Sequence, residues 1–383
     1  MLIQIHILQN YAPANLNRDD TGAPKDAFFG GIRRGRISSQ CLKRSMRKSE
    51  IFKAAFEKSG MLGIRTKALP ELIRKELINL KASDEEIKTI IDKIPEIIKG
   101  STKANNKEES ESETSENNAV EEEISTNQLI FISQNEVAPF AAKLLELYRK
   151  IGKGDWKKSK SNKEITRQMG SSLPKSVDIA MFGRMTTSTT FENVQAAVQV
   201  AHAITTNALA SEFDYFTAVD DLSGQTGAGM IGDVEFNSST YYKYLNIHWE
   251  GLTHNLADDY EVAKDGVASL LEAAALAHPS GKQNSFAAFN PPDFIMVEIY
   301  ERNLPFSYAN AFQKPIRVTH DLTLMEASIK QFEEYVDSIS ASYNLSPKRA
   351  TLKVAEPKNK DTKPGLSLNE LKEWLRKQLP AGK

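Results

Sequence analysis

The sequence predicts an α+β fold built on a split βαβ, or ferredoxin-like, sheet. Ile3, Ile5 and Ile7 alternate with polar residues at the N-terminus, which is the period of a half-buried strand. Segments with strand, helix, strand, strand, helix and strand character follow in that order along the chain. A helical stretch of different composition interrupts this order, so we expect one large domain that carries an insertion.

The predicted insertion is helical and contains a strongly acidic segment. In residues 50–99, apolar side chains recur at a spacing of three to four, as in amphipathic helices. Residues 105–125 contain eight Glu and one Lys, a local net charge of −7, which predicts a disordered acidic loop. Helical periodicity returns at 136–148, and a basic stretch of low hydrophobicity follows at 150–163.

The second half of the chain alternates between helical and strand patterns. In chain order, the sequence predicts a helix near 193–208, a β-rich stretch at 213–249, a helix at 258–277, a strand at 293–300, and helices at 322–339 and 367–379. The last helix begins with a capping box formed by Ser367 and Glu370. RNA-recognition modules share this order of elements.

Composition limits the classes of protein that fit. The chain has 383 residues, 40% of them hydrophobic, which is enough for a sizeable core. Its formal net charge is only −1, so any surface for a polyanion must be local. The single cysteine, Cys41, excludes an internal disulfide. Without a basic leader or an apolar run that could span a bilayer, we expect a cytoplasmic protein with no membrane partner.

Basic residues cluster between residues 18 and 48. This segment has nine basic and three acidic residues, a net charge of +6 on a nearly neutral chain. The field of such a cluster favours a polyanionic ligand. The basic residues are Arg18, Lys25, Arg33, Arg34, Arg36, Lys43, Arg44, Arg47 and Lys48.

Three glycines of this cluster, Gly30, Gly31 and Gly35, lie in the segment 30–39. The segment resembles a phosphate loop, but a P-loop requires Lys followed by Ser or Thr where this chain has Arg36 and Ile37, so we reject a nucleoside triphosphatase. Glycines still allow the backbone to approach a ligand. The following serines, Ser38 or Ser39, are predicted to cap a helix whose N-terminal N–H groups favour an anion.

The predicted helix carries its polar and cationic side chains on one side. Positions i, i+3, i+4 and i+7 hold Gln40, Lys43, Arg44 and Arg47. A basic helix face is most often solvated surface, and that interpretation stays open. The coincidence of glycines, capping serines and one-sided cations favours a phosphate-binding surface, which would tolerate any base sequence and weaken with salt.

Other chemistry has weaker support. Asp214, Asp220 and Asp221 could suggest a carboxylate metal site, but acids at the end of a strand more often pair with Lys. We expect no metal and no cofactor. A general acid–base ribonuclease needs only one or two histidines, so that alternative stays open. No metal-ligand spacing connects the six histidines, His6, His202, His248, His254, His278 and His320.

A glycine-rich segment at 221–233 joins two β-like segments. We predict a long, mobile hairpin with an apolar pair, Met230 and Ile231, at its tip. An apolar tip of this kind usually packs against a partner or against unstacked bases. The alternative is a flexible surface loop.

Distinctive sequence blocks occur at both ends and in the middle of the chain. The N-terminal blocks are Asn17-Arg-Asp-Asp20, Lys25-Asp26, Phe29-Gly-Gly31, Arg36-Ile-Ser-Ser-Gln40, Leu42-Lys-Arg44 and Met46-Arg-Lys48. The later blocks are Val177-Asp-Ile-Ala180, Gly183-Arg-Met185, Ala201-His-Ala-Ile-Thr-Thr206, Phe216-Thr-Ala-Val-Asp-Asp-Leu222, Ala287-Ala-Phe-Asn-Pro291 and Ala309-Asn-Ala-Phe312. Together they closely resemble the CasC family of the RAMP superfamily, the crRNA-binding backbone subunit of the type I-E CRISPR Cascade complex.

The resemblance implies a modified RRM-like palm formed by residues 1–49 and 176–383, with a β-hairpin thumb at about 210–242. It implies a helical fingers insertion at 50–175, in which the disordered acidic loop would span 101–126. Several copies would stack into a filament along one crRNA, beside other Cascade subunits. The guide would pair with a target DNA strand in antiviral defence.

The resemblance also implies roles for single residues. The RNA-binding positions would be Arg18, Lys25, Arg36, Ser38, Gln40, Lys43, Arg44, Arg47, Arg184 and Met185. Met185 matches an apolar residue that packs against bases, with Arg184 beside it at the RNA backbone. The thumb, which would displace a base at regular intervals, would use Tyr215, Phe216, Val219, Met230 and Ile231.

The sequence therefore predicts a non-catalytic RNA-binding scaffold, because the resemblance assigns guide processing and target cleavage to other subunits. The first rival is an RNA-processing endonuclease of the same superfamily that uses a histidine as general base. A second rival is an interaction protein whose acidic loop is the functional part.

Overall fold

The computed structural model describes residues 1–99, 129–156, 176–186, 191–219, 228–318, 320–354 and 365–382. The chain forms two compact units, one of Met1–Ala55 and Ala197–Lys383, the other of Phe56–Ala196. The acidic loop predicted at 101–126 lies outside the described residues, as does most of the basic stretch predicted at 150–163.

The elements are numbered in chain order. The strands are β1 (Leu2–Ala14), β2 (Asp26–Phe29), β3 (Ile32–Ile37), β4 (Gly63–Thr66), β5 (Ile130–Ser133), β6 (Val198–Val200), β7 (Ala203–Thr205), β8 (Glu212–Val219), β9 (Ala228–His248), β10 (Phe294–Tyr300) and β11 (Lys348–Lys353). The α-helices are α1 (Ser39–Arg47), α2 (Glu50–Phe56), α3 (Leu69–Asn79), α4 (Asp84–Lys99), α5 (Gln134–Ile151), α6 (Lys153–Trp156), α7 (Val177–Phe182), α8 (Trp249–Asn255), α9 (Tyr260–Leu276), α10 (Gln283–Phe286), α11 (Leu324–Tyr343) and α12 (Leu368–Gln378). A 3₁₀ helix spans Ala309–Phe312.

The first unit is built on one antiparallel sheet. Its strand order is β11–β10–β1–β9–β7–β3–β2, and β6 and β8 pair with other parts of β9. In the centre, Ile5 of β1 pairs with Leu245 of β9 on one side and with Val297 of β10 on the other. The long strand β9 pairs with β8 over its first half and with β1 over its second half. One strand therefore connects the central sheet to a long hairpin.

The first strand differs from the prediction, because β1 is buried on both faces. Gln4 and His6, the polar residues of the alternation, are both 0% exposed. Hydrogen bonds compensate their burial: the Tyr244 hydroxyl donates to Gln4 Oε1 at 2.5 Å, and His6 Nδ1 lies 2.9 Å from Tyr242 Oη. Alternating polar residues thus show which side chains share one face of a strand, but they do not show that this face is exposed to solvent.

Helices cover both faces of the sheet. On the face of His6, the aromatic side chains of Tyr242 and Tyr244 join Phe332 of α11 in one buried cluster. On the opposite face, the ammonium of Lys243 reaches the carbonyl oxygen of Ala274 in α9 at 3.5 Å. The helices α1 and α12 both contact α9. The sheet is therefore the middle layer of the first unit.

The helix predicted near 193–208 is wrong. The chain there forms β6 and β7, which pair with β9 at Val198 and Ile247 and at Ile204 and Tyr242. The spacing of the apolar residues fits a helix, but valine and isoleucine side chains also fit a pleated surface. The strand conformation is favoured over the helix because the backbone N–H and C=O groups of β9 form hydrogen bonds with this segment. The local sequence does not reveal these partners.

The second unit is mainly helical. Its helices α3, α4 and α5 surround an apolar core that includes Ile90, Phe140 and Trp156. The helical periodicity predicted for 50–99 and 136–148 is confirmed, except that β4 interrupts the first stretch and pairs with β5. No helix in the described ranges is long and apolar enough to cross a membrane.

Candidate nucleic-acid interface

The predicted anion-binding helix is α1. Ser38 is its N-cap, and the Ser38 hydroxyl oxygen accepts a hydrogen bond from the Cys41 N–H at 3.3 Å. Asn17 holds the cap, since its Oδ1 accepts from the Ser38 N–H at 2.8 Å. The first turn of α1 carries no acidic residue. The start of the helix therefore keeps the positive end of its dipole without a side-chain carboxylate.

The glycines before α1 form a turn and not a phosphate loop. β2 and β3 pair as a hairpin through Gly30 and Gly31, whose φ angles are +60° and +76°. A Cβ atom at Gly30 would overlap the carbonyl oxygen of Gln313. The hairpin geometry itself requires these glycines, and the interpretation that they admit a ligand stays a prediction.

Two arginines of the basic cluster have partners within the protein. Arg34 is 0% exposed, and its Nη1 donates to the carbonyl oxygens of Thr205 and Thr206, each at 2.9 Å. Its Nη2 donates to the carbonyl oxygen of Phe312 at 2.8 Å. Arg33 forms an ion pair with Asp26 across the β2–β3 hairpin. The field available to a ligand is thus smaller than the net charge of the segment suggests.

Lys25, Arg36 and His202 surround the start of α1. The Arg36 N–H donates to the Lys25 carbonyl oxygen at 2.8 Å, which holds the two residues side by side. His202 Nδ1 accepts from the Ser39 N–H at 3.2 Å and lies 3.3 Å from Arg36 Nη1. Burial, followed by the charges of Arg36 and Lys25, lowers the pKa of His202. The imidazole is therefore neutral at pH 7, where it accepts a hydrogen bond at the helix start.

The cationic side of α1 is shorter than predicted. Gln40 and Arg44 are exposed and Lys43 is half-buried, and burial lowers the pKa of Lys43. Arg47, however, is only 6% exposed. Its neighbour Met46 is also buried, so this side of the last turn faces the protein interior. The row of four polar side chains therefore does not stay open to a ligand along the whole helix.

An open groove of about 870 Å³ runs beside α1. Arg18, Arg44 and Lys48 line it and so come together from different parts of the sequence. Asp19 also lines the groove, but its Oδ1 accepts from the N–H groups of Thr21 at 2.9 Å and of Ala23 at 3.0 Å. Asp20 and Glu50 line the groove as well, so three carboxylates balance its three cations and the groove as a whole gives no net preference for an anion.

Arg184 belongs to the second unit and is buried there. Its Nη1 lies 2.9 and 2.8 Å from the two carboxylate oxygens of Glu136, and its Nε donates to the Glu192 carbonyl oxygen at 3.0 Å. The guanidinium also lies 5.5 Å from the centre of the Phe191 ring. The predicted contact of Arg184 with an RNA backbone stays a prediction, and the burial of the guanidinium and its pairing with Glu136 count against it. Met185, the next residue, is 96% exposed, as an apolar contact to bases would require.

The predicted thumb is the hairpin of β8 and β9. Alternation places Tyr215 and Ile231 on one face of this ribbon and Phe216 and Met230 on the other, and all four side chains are exposed. The Phe216 ring lies against the backbone of Gly232, its direct partner, where a Cβ atom would lie 2.7 Å from the ring. The hairpin therefore presents apolar side chains to solvent on both faces.

Met230 and Ile231 do not form the tip of the hairpin. They lie within β9, opposite Ala218 and Thr217 of β8. Val219 pairs with Ala228 through the backbone, and the residues that connect them, 220–227, lie outside the described ranges. The prediction that Met230 and Ile231 form the tip is wrong, because the glycines suggested a loop at positions where β8 and β9 still pair.

The three acids that could suggest a metal site are only partly described. Asp214 is exposed on β8, and Asp220 and Asp221 lie outside the described residues. Where the structure describes the chain, no group of three or more His, Cys, Asp or Glu side chains is placed to hold a metal ion.

Burial raises the pKa of the Cys41 thiol, so this cysteine has the character of an inert side chain.

Two residues of this surface were not predicted as site residues. His202 accepts from the start of α1, and Asn17 holds its cap. Both stand inside the sequence blocks quoted above, at Asn17-Arg-Asp-Asp20 and Ala201-His-Ala-Ile-Thr-Thr206. Membership of these blocks was the one sequence feature that could have marked Asn17 and His202 as site residues. Their proximity could not be predicted, because only the fold brings these distant segments together.

Comparison with solved structures finds a similar fold in RNA-guided complexes. One similar solved structure is described as a "CRISPR RNA-guided surveillance complex, pre-nicking", with a TM-score of 0.73, 25% identity, and coverage of 99% of this chain and 100% of that one. Another, a "CRISPR RNA-guided surveillance complex", has a TM-score of 0.68 and 22% identity, with the same coverage of 99% and 100%, and shows likeness of fold.

The family model of the CT1975-like proteins matches residues 3–377, so the chain belongs to that family. The resemblance to a subunit family of a CRISPR Cascade complex, stated from the sequence blocks, is confirmed. The mixed α/β architecture with an antiparallel sheet is confirmed as well. No curated protein sequence matches the chain significantly.

Proposed function

We propose that the chain is a non-catalytic, crRNA-binding backbone subunit of a type I-E CRISPR Cascade complex. The observation that carries this proposal is the capped start of α1, where Ser38, Lys25 and Arg36 lie together. A helix N-terminus flanked by cations favours a phosphate through its dipole and through charge-assisted hydrogen bonds. The likeness to a component of an RNA-guided surveillance complex supports guide RNA as the source of that phosphate.

We assign the first unit to an RRM-like palm. The strand order β10–β1–β9, followed by β6 and β7 on β9, agrees with the order of a split βαβ sheet. In that correspondence α1 is the first crossover helix and α9 is the second. The phosphate-binding helix start then lies next to the edge strands of the palm, since β3 leads directly into α1.

The aromatic residues of the central strands do not serve as base platforms. In RNA-recognition modules, exposed aromatic residues of the sheet stack on bases. Here Tyr242 and Tyr244 are 2% and 7% exposed, and Phe332 of α11 packs 5.8 Å from the Tyr242 ring centre. RNA therefore has to be held elsewhere on the palm, which favours the surface at α1.

We assign the second unit to the fingers and the β8–β9 hairpin to the thumb. The described part of this hairpin contains no Lys or Arg but includes the acids Glu212, Asp214, Asp233 and Glu235. Acidic side chains repel phosphates, so the hairpin would reach RNA through its apolar side chains. Base displacement by Tyr215, Phe216, Met230 and Ile231 is compatible with that chemistry. Val219 is the remaining thumb residue of the proposal.

The proposed partners follow from this arrangement. Each copy would grip a short segment of guide RNA, and neighbouring copies would add their grips along the same strand. Contacts to phosphates leave the bases unread, so the guide could still pair with a target DNA strand. Other Cascade subunits would complete the complex.

The experiment that tests this function measures the mass of complexes on RNA of increasing length. Purified protein is mixed with single-stranded RNAs of several lengths and analysed by native mass spectrometry. We expect the number of bound copies to rise in steps with RNA length, and the RNA to stay intact. A single copy per RNA at every length would contradict the backbone role.

One observation favours a second candidate function, an RNA-processing endonuclease. His202 is neutral at pH 7 because its pKa is lowered, and it lies beside the proposed phosphate site. To act as a general base toward a ribose 2′-hydroxyl, the neutral imidazole would have to release Nδ1 from the Ser39 N–H, because Nε2 carries the proton in this tautomer.

Replacing His202 by alanine separates the two functions. In the scaffold interpretation, the wild-type protein and His202→Ala both leave a repeat RNA uncut. The variant should still bind RNA, because the substitution removes a neutral side chain and leaves the Ser39 N–H as a donor at the start of α1. His320→Ala is the matched control, since His320 is fully exposed. Cleavage by the wild-type protein that His202→Ala abolishes and His320→Ala retains would establish the endonuclease instead.

A further inference from the structure

His202 carries a hydrogen-bond donor that the phosphate site does not use. The residue lies between β6 and β7, and β7 pairs with β3 at Ile204 and Arg36, so the His202 backbone is held beside the strand that leads into α1. Its side chain is exposed. Nδ1 faces the start of α1, whereas Nε2 has no hydrogen-bond partner among the described residues. The Nε2 edge of the ring is therefore available to a ligand.

Two donors fix the tautomer of His202. The Ser39 N–H donates to Nδ1 at 3.2 Å, and Arg36 Nη1 lies 3.3 Å from the same nitrogen. An arginine side chain has only N–H donors, so Nδ1 accepts from both groups and carries no proton. The proton of the neutral ring is then on Nε2. Partial burial of the ring, followed by the charges of Arg36 and Lys25, lowers the pKa of His202, which disfavours a second proton.

A neutral N–H beside a phosphate site can do what the neighbouring cations cannot. Lys25 and Arg36 attract phosphates, which RNA and DNA share, so their charges do not distinguish the two kinds of strand. The 2′-hydroxyl is the group that distinguishes RNA from DNA. It lies on the carbon next to the one that bears the 3′-phosphate. A strand held by its phosphate therefore brings a 2′-oxygen close to the same site.

We propose that His202 selects RNA over DNA by donating its Nε2–H to a ribose 2′-oxygen of the strand whose phosphate is bound at the start of α1. Arg36 is a positioning residue for this contact, because its guanidinium keeps Nδ1 as the acceptor. The inference rests on the proposed RNA-binding function and adds to it the basis on which this surface rejects DNA. Gln40 is another neutral side chain at the start of α1, where its Oε1 accepts from the Ser39 hydroxyl at 3.3 Å.

The experiment uses the full-length protein and the shortest strand that binds one copy, prepared with one sequence as RNA, as DNA and as 2′-fluoro RNA. Affinity is measured by fluorescence anisotropy. One neutral hydrogen bond corresponds to about a two- to tenfold change in affinity, so the wild-type protein should prefer RNA over DNA by about that factor. 2′-Fluoro RNA keeps the sugar pucker of RNA but offers a weak acceptor, so it should bind like DNA.

Two matched substitutions separate recognition of the sugar from a structural role. Asn at position 202 keeps an acceptor near the place of Nδ1 but no donor at that of Nε2, so His202→Asn should bind RNA as weakly as DNA. His202→Gln places an amide N–H near the position of Nε2 and should keep part of the preference. If His202 only stabilised the start of α1, His202→Asn would bind both strands like the wild-type protein, which would overturn the proposal. The control His320→Ala should leave both affinities unchanged, since His320 is fully exposed.

Three further results would overturn the inference and leave the proposed function intact. Equal binding of RNA and DNA by the wild-type protein would show that no sugar is recognised. Binding of 2′-fluoro RNA as tight as that of RNA would show that the shape of the strand is recognised instead. A preference lost in Gln40→Ala but kept in His202→Asn would assign the sugar contact to Gln40. Failure of the wild-type protein to bind RNA would instead overturn the proposed function itself.

Discussion

Reversing the charges of Lys43 and Arg44 together should abolish tight RNA binding without unfolding the protein. Both side chains lie on the accessible side of α1, and Arg44 also lines the groove of about 870 Å³. Hydrogen bonds to charged groups contribute about 1.5–3 kcal/mol each, so the loss of two should weaken binding at least about 100-fold. Two new carboxylates would add repulsion to this loss. Affinity is measured by fluorescence anisotropy with a labelled single-stranded RNA.

The salt dependence gives a second readout for Lys43→Glu/Arg44→Glu. For single strands, the logarithm of the binding constant falls with the logarithm of salt by about 0.7 per neutralised phosphate, so the slope should decrease by about 1.4. The matched control is Lys330→Glu/Lys377→Glu, which reverses two exposed charges on α11 and α12. Normal binding by the first variant, or equal loss in both variants, would contradict the assignment of α1 as the RNA grip.

Arg47 is unsuitable for this test, although the sequence placed it on the same side as Lys43. With 6% of its surface exposed, it would carry a reversed charge into a closed site. The cost of an unpaired buried charge would destabilise the fold and obscure any effect on RNA. Lys43 and Arg44 avoid this problem because they reach solvent.

Long elements with strong periodicity were predictable from the sequence. The predicted helices at 258–277, 322–339 and 367–379 correspond to α9, α11 and α12, and the strand predicted at 293–300 corresponds to β10. The capping box predicted at Ser367 and Glu370 is confirmed, since the Glu370 N–H donates to the Ser367 hydroxyl oxygen at 3.3 Å. In each case the signal is local, because a repeated apolar spacing or a cap depends on neighbouring residues alone.

Short strands were not predictable, because distant partners create them. β2 and β3 pair through a two-glycine turn, and β7 pairs with both β3 and β9. Strands of three to six residues give too little pattern to distinguish them from loops or helices. β11 was missed for the same reason.

The sequence also did not predict which arginines are buried in the fold and which are accessible to a ligand. Arg34, Arg36 and Arg184 all occur in basic or glycine-rich surroundings that suggest a ligand. The structure buries Arg34 and Arg184 against carbonyl and carboxylate oxygens and leaves Arg36 at the helix start. Sequence shows that a charge is present, but burial decides whether it serves the fold or a ligand.

Breaking the ion pair of Arg184 and Glu136 should strongly destabilise the second unit. Their side chains are 4% and 1% exposed, and Nη1 lies 2.8 Å from Glu136 Oε2. Arg184→Met should lower the free energy of unfolding by about 3–5 kcal/mol, because it leaves a buried carboxylate without its cation. The measurement is urea unfolding followed by circular dichroism.

A double variant shows whether the loss comes from the unpaired charge. Glu136 also accepts from the Ser133 N–H at 2.7 Å in the capping box of α5, and Gln at that position keeps an acceptor there. Arg184→Met/Glu136→Gln should therefore be clearly more stable than Arg184→Met alone. The control is Lys143→Met, which breaks an exposed 3.0 Å ion pair with Glu146 on the same helix and should cost less than about 1 kcal/mol.

The same variants decide between the two roles of Arg184. A side chain that contacts the RNA backbone would lower RNA affinity when it is replaced, even where the protein is fully folded. A side chain that serves the ion pair would lower stability and leave affinity nearly unchanged at low temperature. We expect the second result for Arg184→Met/Glu136→Gln, because the guanidinium is enclosed by Glu136, Glu192 and the Phe191 ring. A large loss of affinity in this stable double variant, with a reduced salt slope, would restore the role that the sequence suggested.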